Sequence, residues 1–451
     1  MADQRQIGII GAGMGGLAAA YDLVKAGHRV TIYEAAPEVG GLAAGFKAPH
    51  WDWTLEKYYH HWFASDQHIL NLVQELGWSD RVIFPRPYTV IYWNGEFHPF
   101  DSIFTTIPLF LLRHFSLPDV IRYGVAGLYL RFFARWEPLE KVTADAWTRR
   151  WFGPRVHKLQ WRPLLVSKFG EENAQIVNMA WLWARLRART TRLGTFVGGF
   201  QAFLDQLADR LRAQGVTIRL STPVTAIHSQ SSAPEGQEAE GQSGRLRIAT
   251  TAGTESYDAV IATSSPALMA RLAPDLPASY SDSLRALKSM GAVALIIALT
   301  RPLTRYYWHN LPKDAGFPFL AMVEHTNFVP AEHFGGDHII YCGDYLDVDH
   351  EYFKLSKEAL LERFLPALKR FNPEFDRSWV KGTWLWKTPY AQPVPPLNHS
   401  NNIPPIRTPV SGLYFASMSQ VYPWDRGTNF AVEIGRRAAR LVMEDLERSV
   451  Q

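Results

Sequence analysis

The feature that most constrains this chain lies in its first 34 residues. Residues 5–10 (RQIGII) read as a short buried strand, and Gly11-Ala12-Gly13-Met14-Gly15-Gly16 follows. Residues 17–26 then read as a helix that stops at Gly27, and residues 28–34 (HRVTIYE) as a second strand. In a βαβ unit of this size each glycine has a physical use. Gly11 makes the tight turn, Gly13 lets the backbone approach a pyrophosphate, and Gly16 brings helix and strand together. The turn through Met14 and Gly15 leads into a helix N-terminus whose free N–H groups and positive dipole end favour phosphate. Glu34 stands 23 positions after Gly11, where a carboxylate can accept both ribose hydroxyls of an adenosine, with Ala35 beside it. An acid here argues against NADP, whose 2′-phosphate it would repel, and leaves NAD and FAD open.

A second glycine pair, Gly40-Gly41, follows the acid and is succeeded by Leu42. With this pair the sequence resembles the glutathione-reductase-type FAD proteins, in the branch of amine oxidases, protoporphyrinogen oxidases, phytoene desaturases and UDP-galactopyranose mutase. Further segments carry the resemblance along most of the chain. Residues 196–227 resemble the branch's "GG…aL…G…V..I" segment, in which Val224 would border the adenine, and residues 258–265 (DAVIATSS) match the strand that follows it. Residues 412–418 (GLYFASM) resemble its "GLYFAGD" strand, with Ser417-Met418 where Gly-Asp is usual. Gly427, Thr428 and Asn429 then lead into a helix over residues 431–447 that would face the flavin. The resemblance implies FAD. Leu42 stands where the branch usually has Arg or Lys, so the helix dipole would carry more of the diphosphate.

The same resemblance implies an α/β fold with a discontinuous Rossmann-like FAD-binding domain, built from residues 1–60, 195–265 and 380–451. A second, α+β substrate domain would take residues 61–194 and 266–379. Residues 229–244 are polar and Gly/Ser/Glu-rich, and read as a hairpin tip. Residues 103–136 are densely apolar with interspersed Arg and His. They read either as helical core of the substrate domain or as a surface that dips into a bilayer or admits a lipid-like substrate.

Composition narrows the partners. The chain has 451 residues, 47% hydrophobic and 20% charged, which excludes global disorder and allows a large core. Its 16 Trp, 18 Tyr and 25 Phe suit apolar pockets, and a net charge of +4 without a dense Lys/Arg tract argues against nucleic acid. Cys342 is the only cysteine, so intramolecular disulfides and cysteine zinc sites are excluded. It does not match the C-terminal cysteine that tethers flavin in monoamine oxidases, so the expected FAD is non-covalent. No metal spacing is found: His60 and His61 are adjacent, and H-E-x-x-H is absent. With no basic n-region before an apolar run, and its longest apolar runs (102–112 and 289–300) too short to span a bilayer, the chain is expected to be cytoplasmic, with possible peripheral membrane contact.

Two segments are expected to flank the reacting ring. Residues 51–63 (WDWTLEKYYHHWF) contribute Lys57, Tyr58, Tyr59, His60 and His61, with His60 or His61 as a proton acceptor titrating near neutrality and the tyrosines as a wall. Residues 384–393 (WLWKTPYAQP) resemble a cavity-bordering loop of protoporphyrinogen oxidases and offer Lys387 and Tyr390. Tyr422 and Trp424 could add a further aromatic wall. Arg185, Arg187, Arg189 and Arg192 form a basic cluster that is either a solvated helix face or a grip on a carboxylate or diphosphate.

The resulting expectation is an FAD-dependent oxidoreductase that dehydrogenates or desaturates an apolar or aromatic substrate by hydride transfer to flavin N5, with oxygen or a quinone as acceptor. The alternatives are a non-redox flavoprotein of the mutase or isomerase kind, or an amine oxidase in which Tyr390 with Tyr422 or Trp424 cages the amine. An interaction protein on the same scaffold is disfavoured by the glycines kept at both phosphate sites.

Overall fold

A computed structural model describes residues 4–229 and 246–448; beyond Ser229, the hairpin tip read at 229–244 lies outside the described residues. Strand β1 (Gln6–Ile10), helix α1 (Met14–Lys25) and strand β2 (Arg29–Tyr33) form the opening unit, with the strands parallel from Gln6 opposite Arg29 to Ile10 opposite Tyr33. The helix starts at Met14, ahead of the apolar run that marks it in sequence. Its first-turn N–H groups need no partner within the helix, so Gly15 and Gly16 are tolerated there. Helix α2 (Phe200–Ala213) leads into strand β3 (Thr217–Arg219). Strand β4 (Ala259–Ala262), strand β5 (Leu413–Phe415) and helix α3 (Thr428–Arg448) come from more distant sequence.

The five strands make one parallel sheet in the order β3-β2-β1-β4-β5. Alternation of side chains across it builds a layer on each face. Ile7, Ile9, Ile32 and Ile261 pack with α1, α2 and α3. Ile10, Tyr33, Val260 and Ala262 pack with an antiparallel meander of Val224–Ser229, Leu246–Thr250 and Gly253–Tyr257.

Beside this sheet stands a seven-stranded one, in the order Val380–Pro393, Ser289–Leu299, His338–Leu346, Ala321–Glu324, Trp308–Asn310, Thr89–Trp93 and Glu96–Pro99. The fold is thus mixed α/β with several sheets. Ser289–Leu299 explains the apolar run at 289–300: Val293, Leu295 and Ile297 face the core under the helix Lys357–Leu368, while Ile296 and Ala298 face the core of Trp51, Tyr307 and Tyr341. Residues 380–393, grouped by sequence with the cofactor segment, pair along Ser289–Leu299, so the chain returns to the parallel sheet only after Pro393.

The apolar stretch 103–136 is helical and serves two surroundings. Leu111, Phe115, Val120, Ala126 and Leu130 are buried, whereas Phe104, Leu117, Ile121, Val125, Leu128, Phe132 and Phe133 are exposed. No helix among the described residues is long and apolar enough to cross a membrane.

Helices α1 and α3 cross at glycines. A Cβ on Gly435 would stand 2.1 Å from the Gly15 carbonyl oxygen, and one on Gly16 would stand 2.0 Å from the Gly11 oxygen. Both obstacles are backbone, which cannot swing aside. Gly435→Ala is therefore expected to cost about 3 kcal/mol, the upper range of overpacking. Urea denaturation of the purified variant checks this, and an unchanged midpoint would show that the helices can separate freely.

Candidate active site

The C-terminal ends of the parallel strands open into one cavity of about 460 Å³. Gly11 follows β1, Glu34 follows β2, Thr263-Ser264-Ser265 follow β4 and Ala416 follows β5, and all of them line it. In an open α/β sheet this crevice, where strand order reverses, is where ligands bind.

Around the glycine turn the geometry is well defined. Gly11 has φ +101°, and its N–H donates to the Tyr33 carbonyl at 2.8 Å. Gly13, Met14 and Gly15 line the cavity with Gly40, Gly41 and Leu42; Gly16 lies beneath them, buried. A Cβ on Gly13 would meet nothing within 4 Å, so the backbone there borders open space at the N-terminus of α1. The Glu34 carboxylate accepts the N–H groups of Ala12 (2.7 Å) and Ala36 (2.9 Å), which orient it while each oxygen keeps a free lone pair. Gly427, Thr428 and Asn429 bring the start of α3 to the same cavity. Thr428 Oγ1 is fixed by the Trp62 indole N–H (2.9 Å), and Asn429 Oδ1 by the Ile69 N–H (3.1 Å). Met418 is on the wall, but Ser417 is not: its N–H donates to Gln420 Oε1 and its hydroxyl bonds Tyr390, both capping a turn. Ala35 and Val224 also lie off the wall; Ala35 is exposed and Val224 packs against the meander core.

The aromatic segment 51–63 delivers Tyr58, Tyr59, His60 and His61 to the cavity but not Lys57. The Lys57 ammonium is held by Glu38 and stands 4.5 Å over the Trp386 ring. His60 departs from its expected titration near neutrality. Burial, with Arg426 nearby, pushes its pKa down to about 4, and burial with neighbouring cations pushes His61 down to about 3. Both are neutral at pH 7. His60 Nδ1 lies 2.6 Å from the Tyr58 carbonyl, which can only accept, so Nδ1 carries the proton and Nε2 the lone pair. Burial raises the phenols of Tyr58 and Tyr59 above their usual range, so neither ionises readily.

Tyr390 lines the cavity with its hydroxyl locked between Ser417 Oγ (2.9 Å) and Ser419 Oγ (2.7 Å). The neighbouring candidates point elsewhere. Lys387 donates to the carbonyls of Phe353 (3.0 Å) and Leu355 (2.6 Å). Tyr422 donates to Glu140 (3.2 Å) and packs on Trp136 and His399, and Trp424 is stacked between Trp183 and Phe430. Neither residue reaches the cavity, so the proposed amine cage of Tyr390 with Tyr422 or Trp424 does not form. Of the basic cluster, Arg185 and Arg189 reach the wall and Arg187 and Arg192 do not.

Sequence reasoning missed Lys168, Arg426, Asp344, Tyr345 and Trp308, all on the wall. Lys168, Asp344, Tyr345 and Trp308 belong to elements scattered through the chain and sit in no motif, whereas Arg426 directly precedes Gly427 and its nearness to that segment was the available signal. The residues after β4 carried a usable signal, since a Thr-Ser-Ser run directly after a buried strand is a phosphate-side candidate.

The profile of the family described as flavin containing amine oxidoreductase matches residues 14–443. The chain belongs to this family. Membership in it implies a flavin cofactor and oxidoreductase chemistry. Among curated relatives, a protein assigned as a zeta-carotene desaturase from Synechococcus elongatus is 26% identical over 250 residues, 49% of this chain and 51% of that protein; the chain thus spans about half the length of that relative. Among solved structures, a protein assigned as a protoporphyrinogen oxidase from Exiguobacterium sp. 255-15 superposes with TM-score 0.75 at 17% identity, covering 98% of this chain and 99% of the other. Cyclohexylamine oxidase from Brevibacterium oxydans IH-35A superposes with TM-score 0.72 at 15% identity, covering 99% and 100%. At such identities the structural likeness is one of fold.

The depressed histidine pKa values set a pH dependence. An unfolded histidine titrates near 6.5, while folded His60 does so near 4, so between these values the unfolded state binds more protons and stability falls as pH is lowered. His60→Gln is expected to flatten the loss between pH 6.5 and pH 4 by one histidine's share, about 1.4 kcal/mol per pH unit at most. Urea unfolding of the purified protein and variant across that range measures it; parallel curves would show that His60 is protonated in the folded state.

Proposed function

We propose that this protein binds FAD non-covalently in a discontinuous Rossmann-type domain and dehydrogenates or desaturates an apolar or aromatic substrate. The observation that carries this reading is the continuity of the cavity, which runs from the glycine turn and Glu34 to an aromatic wall of Tyr58, Tyr59 and Tyr390. The residues present fit the cofactor. The open space at Gly13, two helix N-termini on one cavity and an oriented ribose acid supply donors for a diphosphate and acceptors for a sugar. Leu42 adds no charge there, which leaves the phosphates to backbone N–H groups. The sole cysteine, Cys342, is buried in the seven-stranded sheet off the cavity wall, which supports non-covalent binding.

When bound, the isoalloxazine supplies a two-electron acceptor that takes hydride at N5. The protein's own part is placement. Tyr58, Tyr59 and Tyr390 provide flat apolar surface against which a substrate carbon can be held, and Tyr390 keeps its position through its two serine bonds. With His60 and His61 neutral and the phenols protonated, this aromatic stretch of the wall offers no strong base at pH 7, which suits removal of hydride from carbon more than abstraction of an acidic proton. Arg185 and Arg189 on the wall also support the second reading, a non-redox flavoprotein, which would turn over with pre-reduced flavin and no acceptor.

The exposed apolar stripe supports contact with an anionic membrane surface. Leu117, Ile121, Val125, Leu128 and Phe132 recur at helical spacing and point outward, with Leu117 62%, Val125 63% and Phe133 75% exposed. Exposed Arg113, Arg150 and Arg155 lie beside the stripe; Arg155 sits over the Phe115 ring, and Arg122 ties the stripe to the Arg150 carbonyl.

Two measurements test these readings. The purified protein should show a flavin spectrum and release FAD on denaturation, and Gly13→Asp should retain less than a tenth of it; a fully yellow variant would move the diphosphate elsewhere. The protein should float with phosphatidylglycerol vesicles, and Leu117→Glu/Val125→Glu should reduce the bound fraction at least tenfold without lowering its melting temperature. Equal flotation of both proteins would remove the stripe from the contact.

A further inference from the structure

One stretch of the cavity wall gathers four cations. It is built from the helices Arg162–Ala174 and Met179–Ala188, the residue just past the latter, and the turn before α3, and it carries Lys168, Arg185, Arg189 and Arg426. Two carboxylates face them, Asp425 and Asp344. Asp425 is engaged with Arg185, and Asp344 meets Lys313 at 3.5 Å through one oxygen while its Oδ1 is buried without a hydrogen-bond partner. Arg426 donates to the Tyr345 hydroxyl.

That leaves Lys168 and Arg189. Lys168 is 5% exposed, and among the described residues its ammonium has no hydrogen-bond acceptor and no carboxylate at ion-pair distance, although Asp425 and Asp344 act on it through space; it stands 4.5 Å over the Tyr345 ring. Burial and the adjoining Arg185 and Arg426 press its pKa well below that of an ordinary lysine. Arg189, an exposed residue of the cavity wall, likewise has no carboxylate partner among the described residues. A buried cation with like charges beside it is destabilising on its own. A ligand anion set between Lys168 and Arg189 removes that cost and gains charge-assisted hydrogen bonds from a planar guanidinium and an ammonium. An uncharged apolar ligand gains little from them, and an amine cation meets repulsion.

We propose that Lys168 and Arg189 form an anion subsite, and that the substrate is amphiphilic: an apolar body lies along the tyrosine wall and a single carboxylate or phosphate head group is held by this pair. Arg185 and Arg426, kept in place by Asp425 and Tyr345, frame the subsite. The inference rests on reading the cavity as the substrate's, and narrows the substrate class within that reading.

Three matched probes test it on the flavin-loaded protein: octanoate, octyl phosphate and octanol, titrated against the flavin absorbance and tryptophan fluorescence. At least one anion is expected to bind tenfold or more tighter than octanol, and the tighter of the two identifies the head group. Lys168→Met and Arg189→Gln should each abolish this preference while flavin content stays at the wild-type level. The melting temperature of Lys168→Met should be equal or higher, because an uncompensated buried charge is gone. Equal binding of octanol, or an anion preference that survives both substitutions, overturns the subsite. So does loss of flavin from Lys168→Met, which would assign the cations to the cofactor. Wild-type protein that carries no flavin defeats the cofactor reading instead, and the anion preference is then read by tryptophan fluorescence alone.

Discussion

The close crossing of α1 and α3 is the constraint on which the rest of the architecture depends. Gly15 and Gly435 allow two backbones to touch, so two helix N-termini separated by some 400 residues of chain open onto the same cavity. A side chain at Gly435 would part the helices and with them the amide groups that together make an electropositive floor. The parallel sheet behind them contributes strand ends in the order that creates the crevice, and Glu34 is braced at its rim by two backbone N–H groups. The glycines therefore join the first and last segments of the protein at one cavity.

Burial then sets the chemistry of the cavity. The same desolvation that keeps His60 and His61 neutral also strains Lys168 and lifts the carboxyl of Asp344 to about 6. Histidines meet this by losing a proton, which leaves a polar but uncharged wall. Lys168 meets the same cost through a depressed pKa, and an anion set beside it would relieve that cost. One side of the cavity is in this way suited to carbon chemistry and another to gripping a head group.

Apolar sequence plays two opposite parts in this chain. Ser289–Leu299 is apolar on both faces because a sheet neighbour lies on each side and a core on each surface. Leu117–Leu128 is apolar on both faces although only one of them meets a core, and its outer stripe lies open. Composition alone does not separate the two cases; the presence or absence of a covering layer does.

The sequence by itself determined the opening βαβ unit, the glycine turn, the acid Glu34 at the end of the second strand and the approximate positions of the later strands, because each of these is local: its signal is a spacing within about thirty residues. It also brought Tyr58, Tyr59, His60 and Tyr390 into view through their nearness in chain to those motifs. Tertiary structure decided which of the candidates face the cavity. Lys57 and Tyr422 were drawn off by Glu38 and Glu140, partners that no local pattern reveals, and Lys168 and Arg426 were brought in from separate elements. It also decided the protonation state of His60, since a pKa depends on the solvent a fold removes and on charges it gathers from the whole chain, neither of which is written in neighbouring residues.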